Sequence, residues 1–413
     1  MKRRVVVTGM GLLSPVGNTT DETWEAMLAG RSGAAPIQRF DPSDFYAQIA
    51  CEVKDFDPTD YMDRKEAKRA DRYAQYGIAA AEMAVCDAGW DRSKPAGDRT
   101  GVIIGSGIGG IETFQEQCTL YLEKGPRRVS PFFVPMFIPD MAAGLVSIRL
   151  GARGPNYCTV SACSSSAHAL GESFRLIQMG KADAMVAGGA EAAITPLSVA
   201  GFGNMKALST RNGEPEAASR PFDKGRDGFV LGEGAGVLIL EELEHAKARG
   251  ANIRAEVVGY GMSADAHHMT RPAPSGEGAV RAMEECLSDG QLAPTDVMYI
   301  NAHGTSTPLG DIAETRAVKR VFGDHARTLV MGSTKSMSGH LLGAAGGVEF
   351  AVCVRVIESS TIPPTINNDD PDPECDLDCA PNVKVEREVE VAVSNSFGFG
   401  GHNVSLAVRA YRE

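Results

Sequence analysis

Three short segments hold residues able to do thiol chemistry. Cys163 lies in SACSSSAHALG (161–171), His303 in NAHGTST (301–307), and His340 in STKSMSGHLLG (333–343). A cysteine at the first turn of a helix has its thiolate favoured by the positive end of the helix dipole and by free backbone N–H groups. Small neighbours such as Ala162, Ser164 and Ser165 admit a substrate carbonyl, and a strand-to-helix turn points the side chain outward, as in a nucleophile elbow. His303 closes an apparent strand (MYINAH), and His340 is expected to begin a helix after Lys335. With a helix-start cysteine, two such histidines suit a site that needs hydrogen-bond donors more than a single general base.

Other candidates carry less. His168 sits on the helix of Cys163 and is expected to pack inward. Cys86, Cys158, Cys286 and Cys353 read as small, inert hydrophobes. Cys375 and Cys379 are spaced C-x3-C and His267 adjoins His268, but no second pair at zinc spacing accompanies either. GSGIGG (105–110) lacks the last glycine spacing of a dinucleotide loop and its acidic partner, so it reads as a turn. The glycines of SNSFGFGGHN (394–403) would let backbone amides face a reaction centre and let the loop move. A buried aromatic packed on a glycine turn is the alternative there.

The elements that must position these residues alternate along the chain. Strand-like runs stand at 3–10, 100–110, 155–162, 182–189 and 234–242, with helical patterns near 20–29, 66–88 and 163–179. A loop-rich stretch follows residue 110. The second part repeats this alternation with IRAEVVGYG, a helix at 276–289, DVMYINAHG, a helix near 310–321, LVMGSTKS, a helix after Ser338, and VEVAVSNSFGFGG. Such alternation indicates an α/β protein with a parallel or mixed sheet. Shifting the chain by 172 residues lays Ser161, Ser164, Ser166, His168, Leu170 and Gly171 on Ser333, Ser336, Ser338, His340, Leu342 and Gly343. Chance in Ser- and Gly-rich sequence is one explanation; duplication, with halves meeting near residue 250, is the other.

The chain has 413 residues, 43% of them hydrophobic, enough for a large core. A net charge of −12 argues against non-specific nucleic-acid binding. Nine scattered cysteines and no leader-like N-terminus predict free thiols in a reducing cytoplasm. No apolar run approaches the length of a membrane span.

SACSSS, NAHGTSTPLGD and STKSMSGHLLGAAGGVE together resemble the signature set of the β-ketoacyl-acyl-carrier-protein synthases. SNSFGFGGHN, RPFDKGRDGFVLGEGAG and PPTINNDDPDPECDLD resemble that family as well, and the match runs from VVVTGMGLLSPVGN to GFGGHN. PFFVP (131–135) and GFGNMKALSTRN (201–212) resemble its elongating synthase II branch. The resemblance implies a thiolase-like αβαβα five-layered fold of two pseudo-symmetric halves, 1–250 with the nucleophilic cysteine and 251–413 with both histidines, and a homodimer. It implies decarboxylating condensation of an acyl chain with malonyl, both on acyl carrier protein, in type II fatty-acid synthesis. No cofactor of its own is implied; 4'-phosphopantetheine arrives on the carrier.

By that resemblance Cys163 carries the acyl group, His303 and His340 stabilise the enolate, and the amides of Cys163 and Phe399 form an oxyanion hole. Lys335 supports His340 and is held by Asp311 and Glu314, with Glu349 in the same polar network. Phe399 gates the acyl pocket, Ile108 and Phe202 line it, and Thr305, Thr307 and Gly400 contact substrate. In relatives a sodium or potassium ion can lie near Asn301, Glu349, Ser394 and Asn395. The acidic carrier would dock on Lys65, Lys68, Arg69, Arg127, Arg128 and Lys206, although Asp63, Glu66 and Asp71 dilute the first cluster and a solvated helix face is the rival reading. Asp140, Met136, Phe137 and His402 depart from the family pattern and leave chain length open. The competing functions are a synthase I-like enzyme or polyketide ketosynthase with the same chemistry and, from another class, a thiol hydrolase.

Overall fold

The structure, a computed structural model, describes residues 2–413. Its apolar runs form a ten-stranded mixed sheet. In chain order the strands are β1 (Val5–Leu13), β2 (Thr100–Gly105), β3 (Asn156–Tyr157), β4 (Ala184–Glu191) and β5 (Gly234–Glu242). The second part adds β6 (Ala255–Ala264), β7 (Tyr299–Asn301), β8 (Val330–Gly332), β9 (Val391–Gly398) and β10 (His402–Arg409). Strands β1, β2, β4 and β5 are buried along their whole length, which is why they read as continuous apolar runs rather than alternating ones.

Across the sheet the order is β8-β7-β9-β10-β6-β1-β5-β4-β2-β3. Counted outward from the β1–β6 junction, one half reads β1, β5, β4, β2, β3 and the other β6, β10, β9, β7, β8. In each half the first two pairings are antiparallel and the last two parallel. The two halves therefore repeat one topology, joined where Val5–Val7 pairs with Ala255–Val257.

Six helices complete the layers: α1 (Arg72–Asp87), α2 (Met141–Leu150), α3 (Ser165–Gln178), α4 (Glu277–Asp289), α5 (Gly310–Phe322) and α6 (Ala345–Ser359). Helices α1 and α2 cover the outer face of the first half, and α4, backed by α5, covers the second. Between the halves, α3 packs on β4 and β2 and reaches β10, while α6 packs on β9 and β7 and reaches β5. The arrangement is αβαβα. Its central layer is thin because glycines face each other: a Cβ on Gly347 would stand 2.3 Å from the Gly236 carbonyl oxygen.

Several expectations change. The stretch that reads as loop-rich holds helices Ile111–Lys124, Phe133–Phe137 and α2. The helix expected over 66–88 breaks in two, because Asp71 accepts from the Tyr73 N–H and caps α1 after the short turn Arg64–Ala67. Strand β10 is not predicted by the sequence pattern, yet it lies in the middle of the sheet. His340 does not begin a helix; it follows Gly339 and precedes the 3-10 turn Leu342–Ala344 that leads into α6.

That turn also corrects the internal echo. Ala162–Ser164 leads into α3 as Leu342–Ala344 leads into α6, so Ala162 corresponds to Leu342 and not to Thr334. His168, inside α3, is not the counterpart of His340. All nine cysteines are free; Cys286 and Cys353 are core, whereas Cys86 is exposed and Cys158 half-buried. Among the described residues, no helix is long and apolar enough to cross a membrane.

Candidate active site

The carboxyl ends of the parallel strands in both halves converge on one cavity of about 610 Å³, the place where open α/β sheets bind ligands. Gly107 and Ile108 follow β2, His303 follows β7, and Phe399 follows β9. Cys163 enters from the turn between β3 and α3. Ala162 takes φ +50° there, the left-handed conformation of a sharp elbow, and Leu342 takes φ +47° in the matching turn. Ser164 locks the elbow by donating its hydroxyl to the carbonyls of Ser396 (2.9 Å) and His402 (2.7 Å).

The Cys163 sulfur and one ring nitrogen each from His303 and His340 lie within 4.8 Å of one another. The two imidazoles meet edge to face, with ring centroids 5.3 Å apart. Phe229 packs edge-on against His340 at 5.3 Å, and Phe397 lies 5.9 Å from His303. The ring nitrogens of His340 and Nδ1 of His303 have no hydrogen-bond partner, so they are free for a ligand. Burial holds both histidines well below the usual imidazole range, and the Lys335 charge adds to this. At neutral pH each is an uncharged ring with one N–H to donate.

Burial likewise pushes the Cys163 thiol up to about 11, against the pull of the Phe399 N–H and of Lys335. Burial thus opposes the donors at the helix start and favours a resting thiol. The backbone N–H groups of Phe399 and of Cys163 itself are near enough to the sulfur to pull its pKa down. They are donors preset for an oxyanion that grows on a carbonyl attached there.

The polar groups behind the site divide differently from the expectation. Lys335, 1% exposed, is paired with Glu349, not with Asp311 or Glu314. Asp311 accepts from the Phe222 N–H at 3.0 Å and lies 3.6 Å from the Arg226 guanidinium. Glu314, reaching back from α5, accepts the N–H groups of His303 and Gly304, both at 2.9 Å, and so fixes the histidine's backbone. Burial pushes Asp311 up to about 6 and Glu314 up to about 7.

Ile108, Phe202, Thr305 and Thr307 line the cavity, with the two threonine hydroxyls 3.0 Å apart. Gly400 does not; it is exposed, and its N–H donates to the Met269 carbonyl at 2.8 Å. Phe137 clusters with Phe114 and Phe133 outside the cavity, Asp140 is exposed, and the His402 ring lies against Gly400. Asn301 and one Glu349 oxygen are buried without hydrogen-bond partners, and Ser394 pairs with Asn301 across the sheet. These hard oxygen donors fit an alkali cation. The Asn395 side chain is already engaged with Glu314 and Ser405.

Lys65, Lys68, Arg69, Arg127 and Arg128 are exposed, and Lys206 stands exposed at the cavity mouth. Two of the acids that dilute the first cluster in sequence are drawn off from it, while Asp63 stays exposed beside Lys65. Asp63 caps the Lys65 and Glu66 N–H groups, Glu66 pairs with Arg149, and Asp71 is buried on Thr113. His267 and His268 lie outside the only Cys/His/acid cluster with metal-ligand spacing among the described residues, the Cys163 set itself.

Two buried charges near the site are assigned no role from the sequence. Arg226 donates to the carbonyls of Thr307 (3.1 Å) and Pro308 (3.0 Å) and pairs with Asp372, which anchors the threonine loop. Glu191 is fully buried at the end of β4. Glu191 does leave a signal, a lone charge in the apolar, glycine-rich run AMVAGGAEAA, whereas Arg226 stands among other charges and leaves none.

Comparison with known proteins agrees along the whole chain. Residues 2–246 match the family model for the N-terminal domain of β-ketoacyl synthase, and residues 254–369 match the one for its C-terminal domain. A protein of Synechocystis sp. named 3-oxoacyl-[acyl-carrier-protein] synthase 2 is 55% identical over 411 residues, covering 100% of this chain and 99% of the relative. A protein of the same name from Staphylococcus aureus is 54% identical over 409 residues, 99% of each chain. Among solved structures, a β-ketoacyl synthase from Burkholderia phymatum superposes with a TM-score of 0.92 at 38% identity, over 100% of both chains. A ketosynthase described in complex with its type II PKS acyl-carrier protein gives a TM-score of 0.92 at 36% identity over 100% of both chains.

Proposed function

The chain belongs to the β-ketoacyl synthase family, and we propose that it performs the elongating condensation of type II fatty-acid synthesis, joining acyl and malonyl groups carried on acyl carrier protein. The observation that carries this reading is the buried Cys163–His303–His340 set with its unpartnered ring nitrogens. In the first step the Cys163 sulfur attacks the acyl thioester, the carrier thiol leaves, and the Cys163 proton goes to it through a neighbouring imidazole. The N–H groups of Cys163 and Phe399 hold the tetrahedral oxyanion.

Malonyl thioester then enters past Thr305 and Thr307. Its carboxylate leaves as CO2, and the electron pair becomes an enolate whose oxygen takes hydrogen bonds from neutral His303 and His340. The enolate carbon attacks the acyl-cysteine carbonyl, the C–S bond breaks, and a β-ketoacyl chain two carbons longer departs. Cys163 leaves as a thiolate and takes a proton from solvent. Burial, reinforced by Lys335 tied to Glu349, keeps the histidines uncharged. An alkali cation would be held by Asn301 and Glu349 and would neutralise the second Glu349 oxygen.

Repeated strand order supports a division into halves 1–250 and 251–413. A homodimer is supported by the open edge of β3, flanked by exposed Tyr157, Val160 and, on α2, Ile148. Likeness to 3-oxoacyl-[acyl-carrier-protein] synthases supports a cytoplasmic enzyme. Cys163→Ala is expected to lose all acyl-enzyme formation by intact mass spectrometry, and an acylated variant contradicts the assignment. His303→Ala should still acylate while losing malonyl decarboxylation. The polyketide alternative is separated by product length, since repeated unreduced condensation would replace single elongation when graded acyl-carrier proteins are supplied.

A further inference from the structure

The glycine run GSGIGG after β2 has the sequence of a plain turn, and Glu191 belongs to none of the catalytic motifs. In the structure they form one object. Glu191 Oε1 accepts the Ser106 hydroxyl (2.9 Å) and the Ile108 N–H (3.2 Å). Oε2 accepts the Gly107 N–H (2.7 Å) and, from the other half of the molecule, the Gly343 N–H (2.9 Å). Both oxygens face donors only, so the loop is an anion nest closed around the protein's own carboxylate.

The nest leaves no slack. A Cβ on Gly107 would stand 2.8 Å from Oε2, and one on Gly343 2.7 Å from it. Ile108, bound into this knot, and Leu342, next in the chain to the bound Gly343, both flank the cavity that opens on Cys163. We propose that Glu191 is a positioning residue for condensation, an internal anion that ties the two halves together and fixes the Ile108 and Leu342 walls of the acyl channel against Cys163. Its carboxylate also acts on the nucleophile through space, because its charge adds to burial in raising the Cys163 thiol.

The inference rests on the condensing activity proposed above, so acylation of Cys163 in the parent enzyme is measured first; its absence indicts that reading and not this one. Glu191→Gln keeps the shape, removes the charge and turns an amide donor toward N–H donors. It should change the ratio of kcat/KM for long against short acyl-carrier substrates by about fivefold or more, since small displacements of a positioning wall are costly in rate. Alkylation of Cys163 by iodoacetamide at pH 8 should become about threefold faster, because loss of the nearby anion raises the thiolate fraction. Ser106→Ala, which keeps the carboxylate but removes one of its donors and leaves the Gly109 N–H without its acceptor, should shift the chain-length ratio in the same direction without speeding alkylation. It serves as the test if the glutamine variant does not fold. An equal loss at every chain length in these variants, or an unchanged ratio, overturns the positioning role, and unchanged or slower alkylation in Glu191→Gln overturns the electrostatic one.

Discussion

Lys335 poses the sharpest energetic problem at the scale of single residues. An ammonium taken out of water costs several kcal/mol unless a partner offsets it, and here Glu349 is that partner, itself buried and paired through one oxygen. Lys335→Ala strands the carboxylate and should destabilise the fold by about 3–5 kcal/mol, read from urea melts. Lys335→Met combined with Glu349→Gln removes both charges and should regain most of that. A double variant no more stable than the single would mean that the pair is not the source of the loss. The same double variant tests the histidines. After burial, Lys335 is the next cause that lowers both imidazoles, so without it their pKa values rise toward the usual range. Residual decarboxylation should then fail at a higher pH on acidification, as neutral rings become cations that no longer match a preset pair of donors; an acid limit that stays put contradicts the coupling.

At the scale of elements, the central layer depends on glycines that let α6 lie on β5. Gly347→Ala would push a methyl into the Gly236 carbonyl, 2.3 Å away, with no side chain able to yield. It should cost at least about 1–3 kcal/mol, while Gly213→Ala, with nothing within 4 Å, should leave the melting temperature unchanged. Equal stability in both would show that the layer is looser than its packing. The same elements explain what is legible in the sequence. The Cys163 elbow is, because a strand, small residues and a helix pattern follow one another locally. The buried strands show as apolar runs. Helices over 111–150 do not, since Leu122, Val134 and Ile148 remain exposed and blur any single apolar face. Strand β10 hides behind glycines near the chain end, where fraying is the default expectation. Its burial comes from pairing with both β9 and β6, a long-range fact no local window holds. The partnership of Lys335 with Glu349, rather than with Asp311 and Glu314, is hidden for the same reason, because the pair is made between the turn before His340 and α6.

At the scale of the whole molecule, a net charge of −12 should repel an acidic carrier protein, yet the proposed substrate arrives on one. Attraction must therefore be local, and the fold supplies it by engaging the neighbouring acids with other partners. Asp63, Glu66 and Asp71 spend their charge on a cap, an ion pair and a buried threonine, while Lys65, Lys68, Arg127 and Arg128 stay exposed and, among the described residues, make no ion pair. Arg69 stacks 4.4 Å over Phe132 and links the two basic segments into one surface. Lys65→Glu with Lys68→Glu leaves that stack and the cavity alone. It should raise the KM for carrier-linked substrate by about tenfold at low salt, with kcat nearly unchanged, because such charges steer encounter rather than chemistry. The difference should shrink as the Debye length falls from about 10 Å at 0.1 M salt to about 3 Å at 1 M. Lys384→Glu with Lys181→Glu, which changes the net charge by the same amount at exposed sites elsewhere in the chain, provides the control for net charge. Should it raise KM as much, repulsion by the whole molecule governs the encounter and the basic surface does not.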